Sequence, residues 1–466
     1  MAEKVLPVKK GERIDLEITG VTHSGEGVGR YMGAAVFVPG AVPGEKVRAE
    51  VAEIKKSFAV ARLLEITGPS PARRDPRCVI FNSCGGCRLQ HVDYREQLKI
   101  KTGLVRDSLQ RIGGLGQVTV KETAGMDDPW HYRNKVHYQV AETGGGLALG
   151  FYEEGSRRLT PFPVAGAGKD RGCLLVDRDL NQAASQVERL INIYTGPAGG
   201  KGTEGRFFRH VVLRKGLFTG EIMAVIVTSG TKWPREGEFV RGLMSVLPGI
   251  TSLVRNINDG PAGPVLGGEN RLLAGREYIT DRLDQLEFII SPASFYQVNP
   301  LQTRVLYRKA LEYAFPGHGR GGPVVDAYSG IGTIALYLAG RAGQVHAVEV
   351  VPAAIEDARR NASLNSVKNV RFHKGEAERI LPALAAGGLR PDVVVLDPPR
   401  RGCGREALEA VSAMGAPRVV YVSCDPGTLA RDLGIMSGSG YSVEEVQPVD
   451  MFPWTRHVEC VAKICR

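Results

Sequence analysis

No stretch of this chain approaches the roughly 18 consecutive apolar residues that a membrane-spanning helix needs. The first ten residues, with Lys4, Lys9 and Lys10 among them, lack the apolar core of a secretory leader. The expected location is therefore cytoplasmic, with no membrane partner. Cysteine is scarce, eight in 466 residues, at 78, 84, 87, 173, 403, 424, 460 and 465. That is too few for a disulfide scaffold, and a reducing compartment turns thiols toward metal binding or catalysis. Acidic residues are outnumbered, 50 against 60 Lys and Arg, which leaves a formal charge of +10 and favours a polyanion such as RNA or DNA. Residues 130–290 contain no internal repeat. The length allows roughly two to four domains.

Hydrophobic periodicity divides the chain. In residues 10–68, Ile14, Leu16 and Ile18 alternate with polar residues, and short strand-like runs follow at 35–38, 47–51 and 58–66, separated by Gly- and Pro-bearing turns. Several short strands at regular spacing suggest a small barrel. Gly25, Gly27 and Gly29 lie between strands with no helix after them, so they read as a hairpin and not as a phosphate loop. A Pro-rich linker, Gly68-Pro-Ser-Pro-Ala, follows. Residues 93–112 read as an amphipathic helix with Leu98, Val105, Leu109 and Ile112 on one side. Residues 130–290 look mainly β, with one helical piece at 181–193. From 324 onward strand-like and helix-like stretches alternate regularly, which means a mostly parallel sheet covered on both faces. Two final strands, 441–446 and 457–464, have no helix between them. That ending is similar to the seven-stranded sheet of class I methyltransferases.

The chemistry-bearing residues fall at strand ends. Asp326-Ala-Tyr328-Ser-Gly330-Ile-Gly332-Thr333 lies where the first parallel strand turns into a helix, and its glycines let backbone approach a ligand. Glu349 closes the next strand, where an acid can grip ribose hydroxyls. The third glycine of the dinucleotide fingerprint is missing, with Ala335 in its place. Asp397-Pro-Pro-Arg400 ends the apolar run Val393-Val-Val-Leu. Arg400 stands where an amino-group methyltransferase has a stacking aromatic, which argues against that chemistry. Cys424 and Glu459 pair a thiol at one strand end with a carboxyl near the start of the last strand. Methylation at C5 of a pyrimidine needs both, a thiolate to add at C6 and a base to remove the C5 proton. Cys78-x5-Cys84-Gly-Gly-Cys87 puts three thiols on a Gly-containing loop, and its spacing admits either zinc or an iron–sulfur cluster. It is not the radical-enzyme spacing C-x3-C-x2-C.

Four segments together, Ser291-Pro-Ala-Ser-Phe295-Tyr-Gln297-Val-Asn299, Asp397 to Gly402, Val420-Tyr-Val-Ser-Cys424-Asp-Pro-Gly-Thr428 and Val449-Asp-Met-Phe-Pro-Trp-Thr-Arg-His457-Val-Glu459, resemble the signatures of the RNA uracil-C5 methyltransferase family. The resemblance runs through nearly the whole chain, and residues 11–66 resemble the TRAM module, an OB-like RNA-binding barrel. It implies an α/β fold: a class I Rossmann-like seven-stranded sheet, an N-terminal TRAM barrel and a mainly β central iron–sulfur domain. The expected divisions are 1–68 for the barrel, 69–95 with 130–290 for the central domain, 96–129 for a helical segment on the catalytic domain, and 291–466 for the methyltransferase domain. It implies Cys424 as nucleophile and Glu459 as base. Gln297, Tyr328, Gly330, Gly332, Thr333, Glu349 and Asp397 are then expected at the S-adenosyl-L-methionine site, and Phe295 and Arg400 at the base. Some members carry a [4Fe–4S] cluster on the cysteine run with a distant fourth ligand. Cys173 is the best match, although residues 160–171 before it are longer than the family's usual run. TRAM, the cysteine run and the basic charge point to the 23S rRNA branch. The alternatives are the tRNA branch and a non-catalytic RNA-binding iron–sulfur protein. No obligate protein partner is implied. Asp425 stands where the family has Asn, and Trp454 where it has Gln, His or Tyr. Cys403, Cys460 and Cys465 have no evident role.

Overall fold

The computed structural model describes residues 6–153, 155–156, 158–162, 172–195, 207–260, 263–317 and 321–466. Most of the long run before Cys173, and the first five residues, lie outside them. Among the described residues, no helix is long and apolar enough to cross a membrane.

Strict alternation at the N-terminal end closes into a barrel. Arg13–Val21, Gly27–Tyr31, Ala34–Val38, Lys46–Ile54 and Phe58–Gly68 form five strands without a free edge. Ile14, Leu16, Ile18, Val36, Val38 and Val47 fill the interior, and the residues between them face out. The expected OB-like barrel is present.

Seven strands make the central sheet, in the order Glu269–Gly275, Ile250–Ile257, Ile222–Thr228, Phe208–Lys215, Lys135–Thr143, Gly146–Tyr152, Leu159–Pro161. One neighbouring pair, Ile222–Thr228 with Ile250–Ile257, is parallel. A parallel pair needs a crossover, and the helix Glu236–Val246 supplies it. Periodicity had suggested only the other helix, which runs Arg178–Thr195. A hairpin, Ile279–Leu283 with Leu286–Ile290, then docks onto the helix Pro352–Leu364. Asn361 Oδ1 accepts from the Ile289 amide at 2.7 Å, and Asn365 Oδ1 from the Glu287 amide at 2.9 Å.

The C-terminal sheet runs Val370–Lys374, Ala342–Glu349, Gly321–Asp326, Val393–Leu396, Arg418–Ser423, Glu459–Cys465, Ser442–Val449, Thr119–Val120. The first five strands are parallel and Glu459–Cys465 is antiparallel to Arg418–Ser423, the class I methyltransferase arrangement expected. An eighth strand is added: Thr119–Val120 pairs with Ser442–Val449 at the edge. Two residues carry no period, so this strand leaves no mark in the sequence. Strand order reverses between Gly321–Asp326 and Val393–Leu396, which opens a crevice at their carboxyl ends.

Helices Tyr94–Arg111 and Pro426–Gly438 cover one face, and Val105 and Leu109 of the first share a core with Leu429, Leu433 and Val446. Asp93 caps the first helix, with Oδ1 accepting from the Arg95 amide at 3.0 Å. The other face carries Pro300–Ala314, whose Leu306, Tyr307 and Ala310 pack with Val420, Val422 and Val461. Its Asn299 cap and first-turn Pro300 are a helix-start signature.

Candidate active site

The strand register brings the thiol and the carboxyl together. Ser423 pairs with Cys460 across the antiparallel strands. One step further, past the end of Arg418–Ser423, Cys424 faces Glu459. Cys424 is half-buried, and Glu459 is 4% exposed. Val458 and Cys460 face the opposite core, with Ala462 and Ile464. Burial pushes the Glu459 carboxyl up to about 8, helped by the Asp397 carboxyl and opposed by Arg400. Burial also pushes the Cys424 thiol up to about 12. Glu459 and then Asp397 add to the rise, and Arg400 opposes it. Arg400 is thus a cation that favours the charged form of both groups. It stands exposed at the rim.

Asp425 caps the helix Pro426–Gly438, with Oδ1 accepting from the Thr428 amide at 2.8 Å. Asn and Asp cap equally well, so the Asn-to-Asp departure keeps the same local task. Its charge acts on Cys460 behind the sheet.

Beside the pair lies the crevice of the parallel strands. Gly330 and Gly332 have φ of 55° and 85°, which glycine adopts freely. Gly332 caps the helix Thr333–Ala339 closely enough that a Cβ there would press Ala358 Cβ at 3.3 Å. A Cβ at Gly330 would project into open space, the side from which a ligand can come. Glu349 holds this loop, accepting from the Gly330 amide at 2.9 Å and the Val351 amide at 2.7 Å. Thr333 Oγ1 meets Tyr307 OH at 3.1 Å. The Tyr328 hydroxyl turns away and donates to Glu378 at 3.1 Å. Asp326 is fully buried. Its two oxygens complete no full hydrogen bond, although the Tyr328 and Ala335 amides lie near enough to favour its charge. Burial, then Asp397, push it up to about 8, and burial pushes Asp397 up to about 7.

The segment 291–299 lies across the hairpin. Phe295 is 69% exposed, with its ring outward and not in the core, while Gln297 is buried beside Tyr296. Ser291 and Ser294 hold the segment by donating to Asp357 at 3.0 and 2.6 Å. Lys135, which sequence reading passed over, sits half-buried beside it, because the Asn134 amide donates to Val298 O at 2.9 Å. Burial and the cross-strand Arg214 hold the Lys135 ammonium down at about 7.

Residues 268–465 match the family described as tRNA (Uracil-5-)-methyltransferase, and residues 7–64 match the TRAM domain. An uncharacterized RNA methyltransferase of Halalkalibacterium halodurans is 43% identical over 463 residues, 99% of this chain and 99% of that protein. One of Oceanobacillus iheyensis is 43% identical over 464 residues, 100% of this chain and 99% of that protein. The chain belongs to the RNA uracil-5 methyltransferase family. The solved Pyrococcus abyssi tRNA (uracil-54, C5)-methyltransferase, in complex with S-adenosyl-L-homocysteine, superposes with a TM-score of 0.74 at 28% identity. The match covers 97% of this chain and 100% of that one.

The crevice fits the S-adenosylmethionine on which this family depends. Asp326, fully buried, and Asp397, half-buried, form an acidic patch there, suited to a cationic sulfonium. Val350 and Val351, about half exposed after Glu349, offer an apolar wall that strand patterning alone did not mark as functional.

The four cysteines of the predicted cluster also converge. Cys78, Cys84, Cys87 and Cys173 line one cavity of about 390 Å³. Cys173 raises the other three thiols electrostatically, after burial, and Cys87 is pushed up to about 12. Gln90 Nε2 donates to Cys87 Sγ at 3.2 Å, and the Gly86 amide to Cys84 Sγ at 3.4 Å. Among the described residues, no three His, Cys, Asp or Glu are arranged to hold a metal ion.

Proposed function

We propose that this enzyme methylates C5 of uridine in RNA, most specifically in 23S rRNA, through a covalent bond between Cys424 and C6. The observation that carries the reading is Cys424 facing Glu459 at the edge of the crevice. Cys424 Sγ, as thiolate, adds to C6, and the electron pair moves to the C5–C4–O4 enolate. Arg400 offsets the charge on the thiolate. Bound S-adenosylmethionine supplies the electrophilic methyl group and a positive charge beside Asp326 and Asp397. The C5–methyl bond forms as the S–methyl bond of the sulfonium breaks, its electron pair leaving with S-adenosylhomocysteine; Glu459 then takes the C5 proton, and the C6–Sγ bond breaks to return the thiolate. Glu459 is suited to this step because its carboxyl titrates near 8, close to neutrality. Gln297, Gly330, Gly332, Thr333, Tyr328 and Glu349 are assigned to the cofactor crevice. Phe295, whose ring is exposed, is assigned to the extruded base, since the target must leave any stack to reach the thiol.

Cys78, Cys84, Cys87 and Cys173 are assigned to a [4Fe–4S] cluster. The shared cavity and the N–H donors aimed at sulfur support this. The expected cytoplasmic location agrees with reduced cysteines.

The barrel, the cysteine cavity and the basic charge support rRNA. A second reading, tRNA, is favoured by the likeness over the whole chain to the Pyrococcus abyssi tRNA enzyme. Mapping 5-methyluridine in rRNA and tRNA from cells with and without the gene decides between them. Loss from 23S rRNA supports the first reading, loss from tRNA replaces it with the second, and no loss from either sinks both.

A further inference from the structure

The helix Tyr94–Arg111 hides a charge that its surface-like pattern does not announce. Lys101 and Asp450 are both 0% exposed, and Lys101 Nζ donates to Asp450 Oδ1 at 2.5 Å. The Tyr94 hydroxyl donates to Asp450 Oδ2 at 2.8 Å. A buried ion pair rarely adds net stability over packed apolar residues, so its presence calls for another reason. Asp450 opens the segment that leads into Glu459, and Lys101 reaches further along it, donating also to Phe452 O at 3.1 Å.

From Asp450 to Trp454 the segment is held at every residue. Asn299 Nδ2 donates to Met451 O, and the Tyr132 hydroxyl to Pro453 O, each at 3.0 Å. The Trp454 amide donates to Gln97 Oε1 at 3.2 Å, and Gln97 is one helical turn before Lys101. Trp454 O accepts from the amides of Arg88 and Leu89 at 3.0 Å each. Trp454 has φ of 66°, which a bulky residue keeps only when its surroundings impose it.

We propose that Lys101 is a positioning residue for proton removal: through Asp450 and Phe452 O it fixes the segment that carries Glu459 to the C5 proton. This deepens, and rests on, the covalent reading above. Lys101 itself is sealed from the crevice and touches no reacting atom.

The test uses the full-length protein with Lys101→Met and with the double variant Lys101→Met/Asp450→Leu. The single variant strands a buried carboxylate and risks unfolding. The double variant replaces both charges by apolar groups, which cores tolerate. Circular dichroism and cofactor affinity verify its fold. Turnover of the double variant should fall roughly 100-fold, the effect of about 1 Å of misplacement at a reacting group, with KM for RNA little changed. Addition and methyl transfer continue while proton removal lags, so a methylated, denaturant-resistant protein–RNA adduct should accumulate on unmodified RNA. Wild-type turnover in the double variant, or slow turnover with no accumulated adduct, overturns the proposal while leaving the covalent reading intact. A wild-type protein that forms no adduct on 5-fluorouridine RNA overturns both.

Discussion

Replacing Glu459 by Gln should have opposite effects on the two halves of the reaction. Glu459 is the charge that most raises the Cys424 thiol, after burial itself. Residues facing each other across antiparallel strands have Cα atoms about 5 Å apart. Two unit charges at roughly that distance, in an effective dielectric of about 20, interact by about 3 kcal/mol. That corresponds to about two pH units on the thiol. Because Glu459 titrates near 8, its effect on the thiol depends on pH. In mildly acidic solution the carboxyl is already protonated, so wild type and variant should alkylate alike. As pH rises through about 8, the wild-type carboxylate appears and holds back the thiolate, whereas Gln cannot. By roughly pH 10 the variant should alkylate up to about 100-fold faster. The assay is timed alkylation of the ligand-free protein, with mass spectrometry of the peptide released between Arg418 and Arg431. Methyl turnover of the same variant should drop about 10²- to 10⁴-fold, as for loss of a general base. Alkylation profiles that superpose through pH 10 would refute the coupling of thiol and carboxyl.

Asp326 and Asp397 titrate near 8 and 7, above their ordinary 3.8, so in that interval the native ligand-free protein holds protons that the unfolded chain has lost. Its stability should therefore fall as pH rises from about 4 to 8. Calorimetry should show S-adenosylmethionine gaining affinity and releasing protons across that range, more than S-adenosylhomocysteine, whose sulfur carries no charge; equal proton release by both would contradict the acidic-floor assignment. Asp425→Asn should leave the melting temperature unchanged, whereas Asp425→Ala should cost about 1 kcal/mol as a lost helix cap, checked by thermal denaturation. Phe295→Ala should not lower stability, since the ring is exposed, but should weaken RNA binding by about 1–3 kcal/mol if it stacks on a base, read by filter binding. Cys84→Ser and Cys173→Ser should each deplete iron and acid-labile sulfide in anaerobically purified protein; full iron content in both would remove the cluster assignment.

Period and strand-end chemistry made much of the catalytic half legible. The apolar run ending in Asp397, the loop at Gly330 and Gly332, and the acid at Glu349 all stand where alternation placed them. The antiparallel ending even put Cys424 within a residue of the strand end opposite Glu459. What stayed hidden depends on distance along the chain. Lys101 sits on a helix whose pattern gave no sign of a buried ammonium, and its partner lies 349 residues away. Asp425 was readable, since an Asp directly before Pro426 is a helix-start signature. The helix Glu236–Val246 followed from a parallel pairing that no local pattern encodes.

The most direct test of the covalent route is to incubate the purified enzyme with S-adenosylmethionine and target RNA containing 5-fluorouridine. Fluorine at C5 leaves Glu459 no proton to remove, so the Cys424–C6 bond cannot resolve. Wild type should form a denaturant-resistant adduct carrying the transferred methyl, with the cross-link on Cys424, and Cys424→Ala should form none. Adduct from Cys424→Ala at the wild-type level would contradict the mechanism.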